Sequence, residues 1–166
     1  MQKRNFPVIK IHISVLARMT AHFQKRDIEQ GCLIGSSQYL NEVDQFIPIP
    51  GMADKEYFIP EINTANENIA HWMEEGICFC GFIHSHPNGA GFLSQADRLA
   101  IESWVLAANL PFLCFGVVDG TGFLKLYLAY QEETRNVRIK QMIRIADSED
   151  SQYAQWRIKH EKIFCK

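Results

Sequence analysis

The chain has 166 residues, 47% of them hydrophobic and 22% charged, with a formal net charge of -2. That length suits one domain with a real core, and the balance of charge, without any long basic stripe, leaves no electrostatic footprint for nucleic acid. No apolar run approaches the length of a membrane span, and Lys10 and His12 interrupt the apolar opening MQKRNFPVIKIHISVL with no small-residue cleavage site after it, so a secretory signal is not expected.

Residues 8 to 13 (VIKIHI) alternate as a strand does, and from Ser14 onward Val15, Leu16, Met19 and Phe23 fall on one helical face. Ile28 to Ile34 reads as a second strand closed by Gly35-Ser36-Ser37, and residues 38 to 49 as a third, ended by Pro48, Pro50 and Gly51. Residues 51 to 60 are expected to form a loop. Between Asn63 and Glu75 the apolar spacing predicts a helix stopped by Gly76. Residues 77 to 83 (ICFCGFI) form an almost unbroken apolar run, as in a strand covered on both faces. A long helix is predicted from Ser94 to about Asn109, with Pro111 beyond its end. Phe112 to Val118 and Phe123 to Tyr130 flank Asp-Gly-Thr-Gly, a hairpin signal, and Val137 to Ile145 suits a further strand.

After the acidic stretch Asp147 to Asp150, the spacing of Tyr153, Trp156, His160 and Ile163 or Phe164 predicts a terminal helix docked on the domain or on a partner. The expected class is therefore α/β, or α+β in layers, with one domain over residues 1–146 and a helical tail over 147–166.

The five cysteines, Cys32, Cys78, Cys80, Cys114 and Cys165, are an odd count without a CxxC pair. Four lie in apolar segments, so reduced, buried thiols in the cytoplasm are expected. As metal ligands, Cys78 and Cys80 would need two further partners that the sequence does not supply.

The chemistry concentrates in GFIHSHPNGAGFLSQAD, residues 81 to 97. His84 and His86 stand two apart at the end of the apolar strand, so both imidazoles emerge on one face, where a divalent ion can use them. Pro87 stops the strand and the glycine-rich stretch 88 to 91 turns the chain. Ser94 and Asp97 then take the N-cap and N3 positions of the next helix. A side chain at N3 points back toward the helix start, so Asp97 can reach a metal beyond the strand end. Ser-x-x-Asp alone is a variant of the capping box. Joined to His-x-His, it yields two histidines and an aspartate with one tetrahedral position open, the mark of a catalytic zinc. Such a site needs a proton shuttle, and Glu29, a carboxylate at the start of an apolar strand, is the candidate.

Glu29, then His84-Ser85-His86-Pro87, then the residues to Leu93, then Ser94-x-x-Asp97 together resemble the signature of the JAMM/MPN metallopeptidase family. The resemblance implies an MPN-type, cytidine-deaminase-like mixed sheet flanked by helices over about residues 8 to 145. It also implies one zinc ion on His84, His86 and Asp97, with Glu29 as general base and acid. Ser94 would hold the activated water or the oxyanion. The upstream part departs from the common pattern: Gly31 comes one position early and Cys32 stands where glycine is usual, while Leu33 keeps the register. The family includes isopeptidases that act on ubiquitin or ubiquitin-like proteins and metal-free scaffolds; this compact chain looks more like the prokaryotic branch.

The expected function is thus zinc-dependent hydrolysis of an amide bond near the C-terminus of a small ubiquitin-like protein or a peptide. Strand 38–49 and loop 51–60 are expected to border its substrate groove. The alternatives are a non-catalytic interaction module of the same fold, using the tail helix, and a two-histidine, one-carboxylate iron site.

Overall fold

A computed structural model describes residues 6–24, 27–55, 57–89, 91–145 and 151–159. Strand β1 (Ile9–His12) runs into helix α1 (Ile13–Phe23), followed by β2 (Gly31–Ser36), β3 (Glu42–Val43), β4 (Gln45–Ile49), β5 (Gly51–Ala53) and β6 (Phe58–Pro60). Helix α2 (Ile62–Glu74), β7 (Cys78–His86) and helix α3 (Gln95–Ala108) come next, and β8 (Leu113–Asp119), β9 (Leu124–Gln131), β10 (Val137–Ile145) and β11 (Tyr153–Ile158) complete the order. The layered mixture of strands and helices is the class expected from the sequence.

Nine strands form one sheet in the order β3-β1-β11-β10-β9-β8-β7-β2-β4, parallel only at β1–β3 and β7–β8. Its two end strands, β3 and β4, are separated in the chain by Asp44 alone. A sheet whose opposite edges are joined by a single residue must curl until those edges nearly meet. Asp44 fastens the junction, its amide donating to the Gly35 carbonyl (3.1 Å) and its carboxylate accepting from the Ser37 amide (2.9 Å). Helix α1 packs on β1 and β11 near one edge and on β4 at the other.

The alternation of each strand then supplies two cores. One gathers Val15, Met19 and Phe23 of α1 with Cys114, Val118, Leu126 and Leu128. The other lies on the opposite face, where Trp72 of α2 and Ile101 and Val105 of α3 meet Leu33, Phe115, Val117 and Tyr127.

Strand β7 changes phase on the way to its histidines. In the register with β2, Gly35 faces Phe79 and Ile34 faces Gly81, so Cys80 has no partner and forms a bulge. Cys80 and Ile83, three residues apart, consequently face the same core. The shift turns Phe82, His84 and His86 toward the face covered by α3. Gly81 makes it possible: its φ is +149°, and a Cβ there would collide with the Cys114 carbonyl oxygen.

Several expectations are corrected. The second strand starts at Gly31, leaving Glu29 and Gln30 ahead of it, and the expected strand 38–49 is split at Asp44 into β3 and β4. Residues 51–60 are a β5–β6 hairpin, which forms its own two-stranded sheet. The tail is not helical over its described part: residues 153–158 are strand β11, between β1 and β10. Tyr153 and Trp156 fit a helical spacing, but Ala154 and Trp156 also fit a period of two, and both are buried in the first core. Inserted there, β11 satisfies backbone groups on two neighbouring strands that would otherwise lack partners. The expected helical positions His160, Ile163 and Phe164, and the acidic stretch 147–150, lie outside the described residues.

Candidate metal centre

The C-terminal end of β7 presents His84, buried, and His86, half-buried, with their Nε2 atoms 2.9 Å apart. Helix α3 starts opposite them. The Ser94 amide donates to Asp97 Oδ2 (2.7 Å) and the Asp97 amide donates to Ser94 Oγ (3.1 Å), a reciprocal capping box. The same box aims Asp97 at the histidines: Oδ1 lies 3.1 Å from His84 Nε2, and Oδ2 lies 3.5 Å from His86 Nε2. The helix cap and the convergence of side chains are one construction.

Glu29 arrives from the loop before β2. Since Gly31 faces His84 in the register, two further steps put Glu29 across from His86, and its Oε1 is 3.8 Å from His86 Nε2. Two backbone contacts hold the approach. The Glu29 amide donates to the Asp54 carbonyl (2.9 Å), tying it to the β5–β6 turn. The Gln30 amide donates to Ser85 Oγ (2.9 Å), while the Ser85 amide donates to the Gln30 carbonyl (2.9 Å). Ser85 is only 2% exposed. Sequence reading passed over this serine; the available signal was a small hydroxyl inside an apolar strand, between two residues that face the other way.

An aromatic stack supports His84 from below. Phe82 lies 5.9 Å from the imidazole, ring centre to ring centre, and Phe58 and Trp104 stack on Phe82 at 6.0 and 5.8 Å.

The environment drives the two carboxylates apart. Burial pushes the Glu29 carboxyl up to about 7; the nearby Asp97 charge works in the same direction, and His86 works against them. Asp97 also suffers from burial, but hydrogen bonds and attraction from His84 and His86, with the Ser94 amide, outweigh that and hold it well below the ordinary carboxylate range. One carboxyl is thus poised to exchange a proton near neutral pH and the other stays ionised.

Ligand atoms of Glu29, His84 and His86 all lie within 4.8 Å of one another, a cluster that could hold a metal ion. Asp97 is nearer to both histidines than Glu29 is to His86, so the structure brings together all four residues singled out in the sequence, with Ser94 beside them. Above them opens a cleft of about 530 Å³ lined by Glu29, Lys55, His86, Asn88, Gly89 and Ser94.

The cysteines stand apart from this cluster. Cys32, Cys80 and Cys114 are buried with their thiols pushed up by desolvation, whereas Cys78 is exposed, contrary to the expectation of buried thiols. Cys165 lies outside the described residues. No described helix is long and apolar enough to cross a membrane.

No protein-family profile and no curated protein matches the chain. Among solved structures, the chain is similar to the solution structure of protein DSY2949 from Desulfitobacterium hafniense. The TM-score is 0.57 at 17% identity, over 86% of this chain and 96% of that one. That likeness is one of fold.

Proposed function

We propose that the chain is a zinc-dependent peptidase or isopeptidase of the JAMM/MPN type, cutting an amide bond near the C-terminus of a small ubiquitin-like protein or a peptide. The observation that carries this reading is the triangle made by His84 Nε2 and His86 Nε2, 2.9 Å apart, and the Asp97 carboxylate, whose Oδ1 lies 3.1 Å from the first and whose Oδ2 lies 3.5 Å from the second. Ligands around a tetrahedral zinc with bonds of about 2.0–2.1 Å are about 3.3 Å apart, so these donors fit one ion. Glu29 Oε1, 3.8 Å from His86, also lies within ligand reach of the histidine pair, and we assign it the proton-transfer role because Asp97 is nearer to both imidazoles.

When bound, zinc supplies a water that ionises near neutral pH and polarises the carbonyl under attack. His84, His86 and Asp97 hold the ion. Glu29 Oε1, held across from His86, takes the proton released by the attacking water and returns it to the departing amine nitrogen. Ser94 Oγ, already accepting from the Asp97 amide, keeps its own proton to donate to the scissile carbonyl oxygen as that oxygen gains charge. The hairpin that replaces the expected loop 51–60 borders the cleft through Lys55. Unlinked thiols at Cys32, Cys80 and Cys114 support a reducing, cytoplasmic setting. The competing interaction-module reading relied on a tail helix, and residues 153–158 form strand β11 instead.

Metal analysis of protein purified without added zinc tests the reading, with about one zinc per chain expected. Glu29→Gln should retain that zinc and lose at least about a hundredfold in turnover on ubiquitin-like fusions. A chain without stoichiometric metal, or a Glu29→Gln variant with unchanged turnover, would overturn it.

A further inference from the structure

The cleft over the metal centre contains one lysine whose position the peptidase chemistry does not use. Lys55 sits in the β5–β6 turn, next to Asp54, whose carbonyl accepts the Glu29 amide at 2.9 Å. The Asp54 amide donates across the turn to the Tyr57 carbonyl (3.0 Å), so the turn is closed and held against Glu29. Lys55 lines the cleft together with Glu29, His86 and Ser94. Among the described residues, no carboxylate lies within ion-pairing distance of its ammonium.

A cation in the wall of a cleft acts on the charge of what enters it. Lys55 puts a positive charge on the wall of the cleft beside Glu29, His86 and Ser94, and among the described residues no carboxylate pairs with it. A substrate neutral around its scissile bond makes no use of that charge, whereas an anionic one pairs with it.

We propose that Lys55 is a specificity residue that pairs with a carboxylate of the substrate within one or two residues of the scissile amide. The carboxylate is either the free C-terminus of the chain being cut or an acidic side chain beside the bond. This inference rests on the peptidase reading above and adds the substrate's charge to it. Lysine suits the role as a flexible point charge with three donors, able to meet a carboxylate presented at a range of angles.

The experiment uses the full-length zinc-loaded chain and a mixed peptide pool prepared as C-terminal acids and as amides. Each form is made with Glu or with Gln flanking the scissile position, and cleavage is followed by mass spectrometry. The wild type should prefer carboxylate-bearing peptides about tenfold, mainly through KM, the scale of one charge-assisted contact. A preference for acids over amides identifies the C-terminal carboxylate, and a preference for Glu over Gln identifies the side chain. Lys55→Gln should abolish the preference and Lys55→Arg should keep most of it. Equal cleavage of all pools, or a preference that survives in Lys55→Gln, overturns the proposal. If no pool is cut, the peptidase reading fails, and the lysine is judged by NMR titration of the zinc-loaded chain with N-acetylglycine and N-acetylglycinamide. Tighter binding of the acid that vanishes in Lys55→Gln sustains the carboxylate site; equal binding of acid and amide in the wild type, or acid binding unaffected by the substitution, overturns it.

Discussion

The two ends of β7 differ in kind. At its start, Ile77, Cys78 and Phe79 share with Ile62, Ile69 and Trp104 the wall of an apolar groove of about 730 Å³ between α2 and α3. At its far end the cleft is smaller, about 530 Å³, but four titratable side chains converge beneath it. The larger concavity offers volume and a single thiol, Cys78, with no carboxylate or imidazole in its wall. The smaller one offers donors at ligand spacing and two carboxyls driven in opposite directions. Size alone favours the groove; the chemistry of the lining favours the other end.

Substitutions can break this contrast. The largest effect is expected from His86→Ala, which should remove stoichiometric metal altogether. Met73→Lys, at a position 70% exposed on the groove, should leave metal content untouched. Atomic absorption of the two purified variants makes the comparison, and metal loss in the groove variant would mean that the two ends are coupled.

A smaller effect is expected at Ser85, which touches neither cleft. Ser85→Ala orphans the buried Gln30 amide and should cost about 1–3 kcal/mol of stability. Because that bond also places Glu29 opposite His86, turnover should fall while metal content stays near the wild-type level. Urea unfolding and metal analysis on the same preparation separate the two consequences.

The smallest effect is a slope. In the metal-free chain Glu29 titrates at about 7 instead of its ordinary 4.5, so the folded state holds this proton more tightly than the unfolded one. Its contribution is complete below the ordinary value and is lost as pH rises through about 7. Asp97 behaves in the opposite sense: held low, it stabilises above the ordinary carboxylate range and loses that effect only on acidification. Denaturant titrations of chelator-treated protein near pH 5 and near pH 8 should therefore show stability falling with pH, and Glu29→Gln should flatten the fall. An equally steep fall in the variant would remove Glu29 as its source.

Much of the candidate site was legible because its parts are local. Pro87 follows directly on the last residue of β7, a histidine pair two apart shares a face, and Ser94 with Asp97 caps a helix by short-range hydrogen bonds. The tail was misread for the opposite reason. Tyr153 to Ile158 satisfies two periodicities at once, and the choice between them lay with β1 and β10, whose backbones that stretch bridges. Ser85 escaped notice because its partner, the Gln30 amide, lies far away in the chain.

By itself, the sequence determined the layered mixture of strands and helices, the capped start of α3, and the residue types that gather at the end of β7. Those depend on periodicity and on contacts between near neighbours. Only the tertiary structure decided that the sheet curls until β3 and β4 nearly meet and that Gly81 turns the histidines toward α3. It likewise decided that Glu29 stands across from His86 and that Lys55 looks into the same cleft. Each of these follows from strand register or from the packing of segments remote in sequence, and no local pattern encodes either.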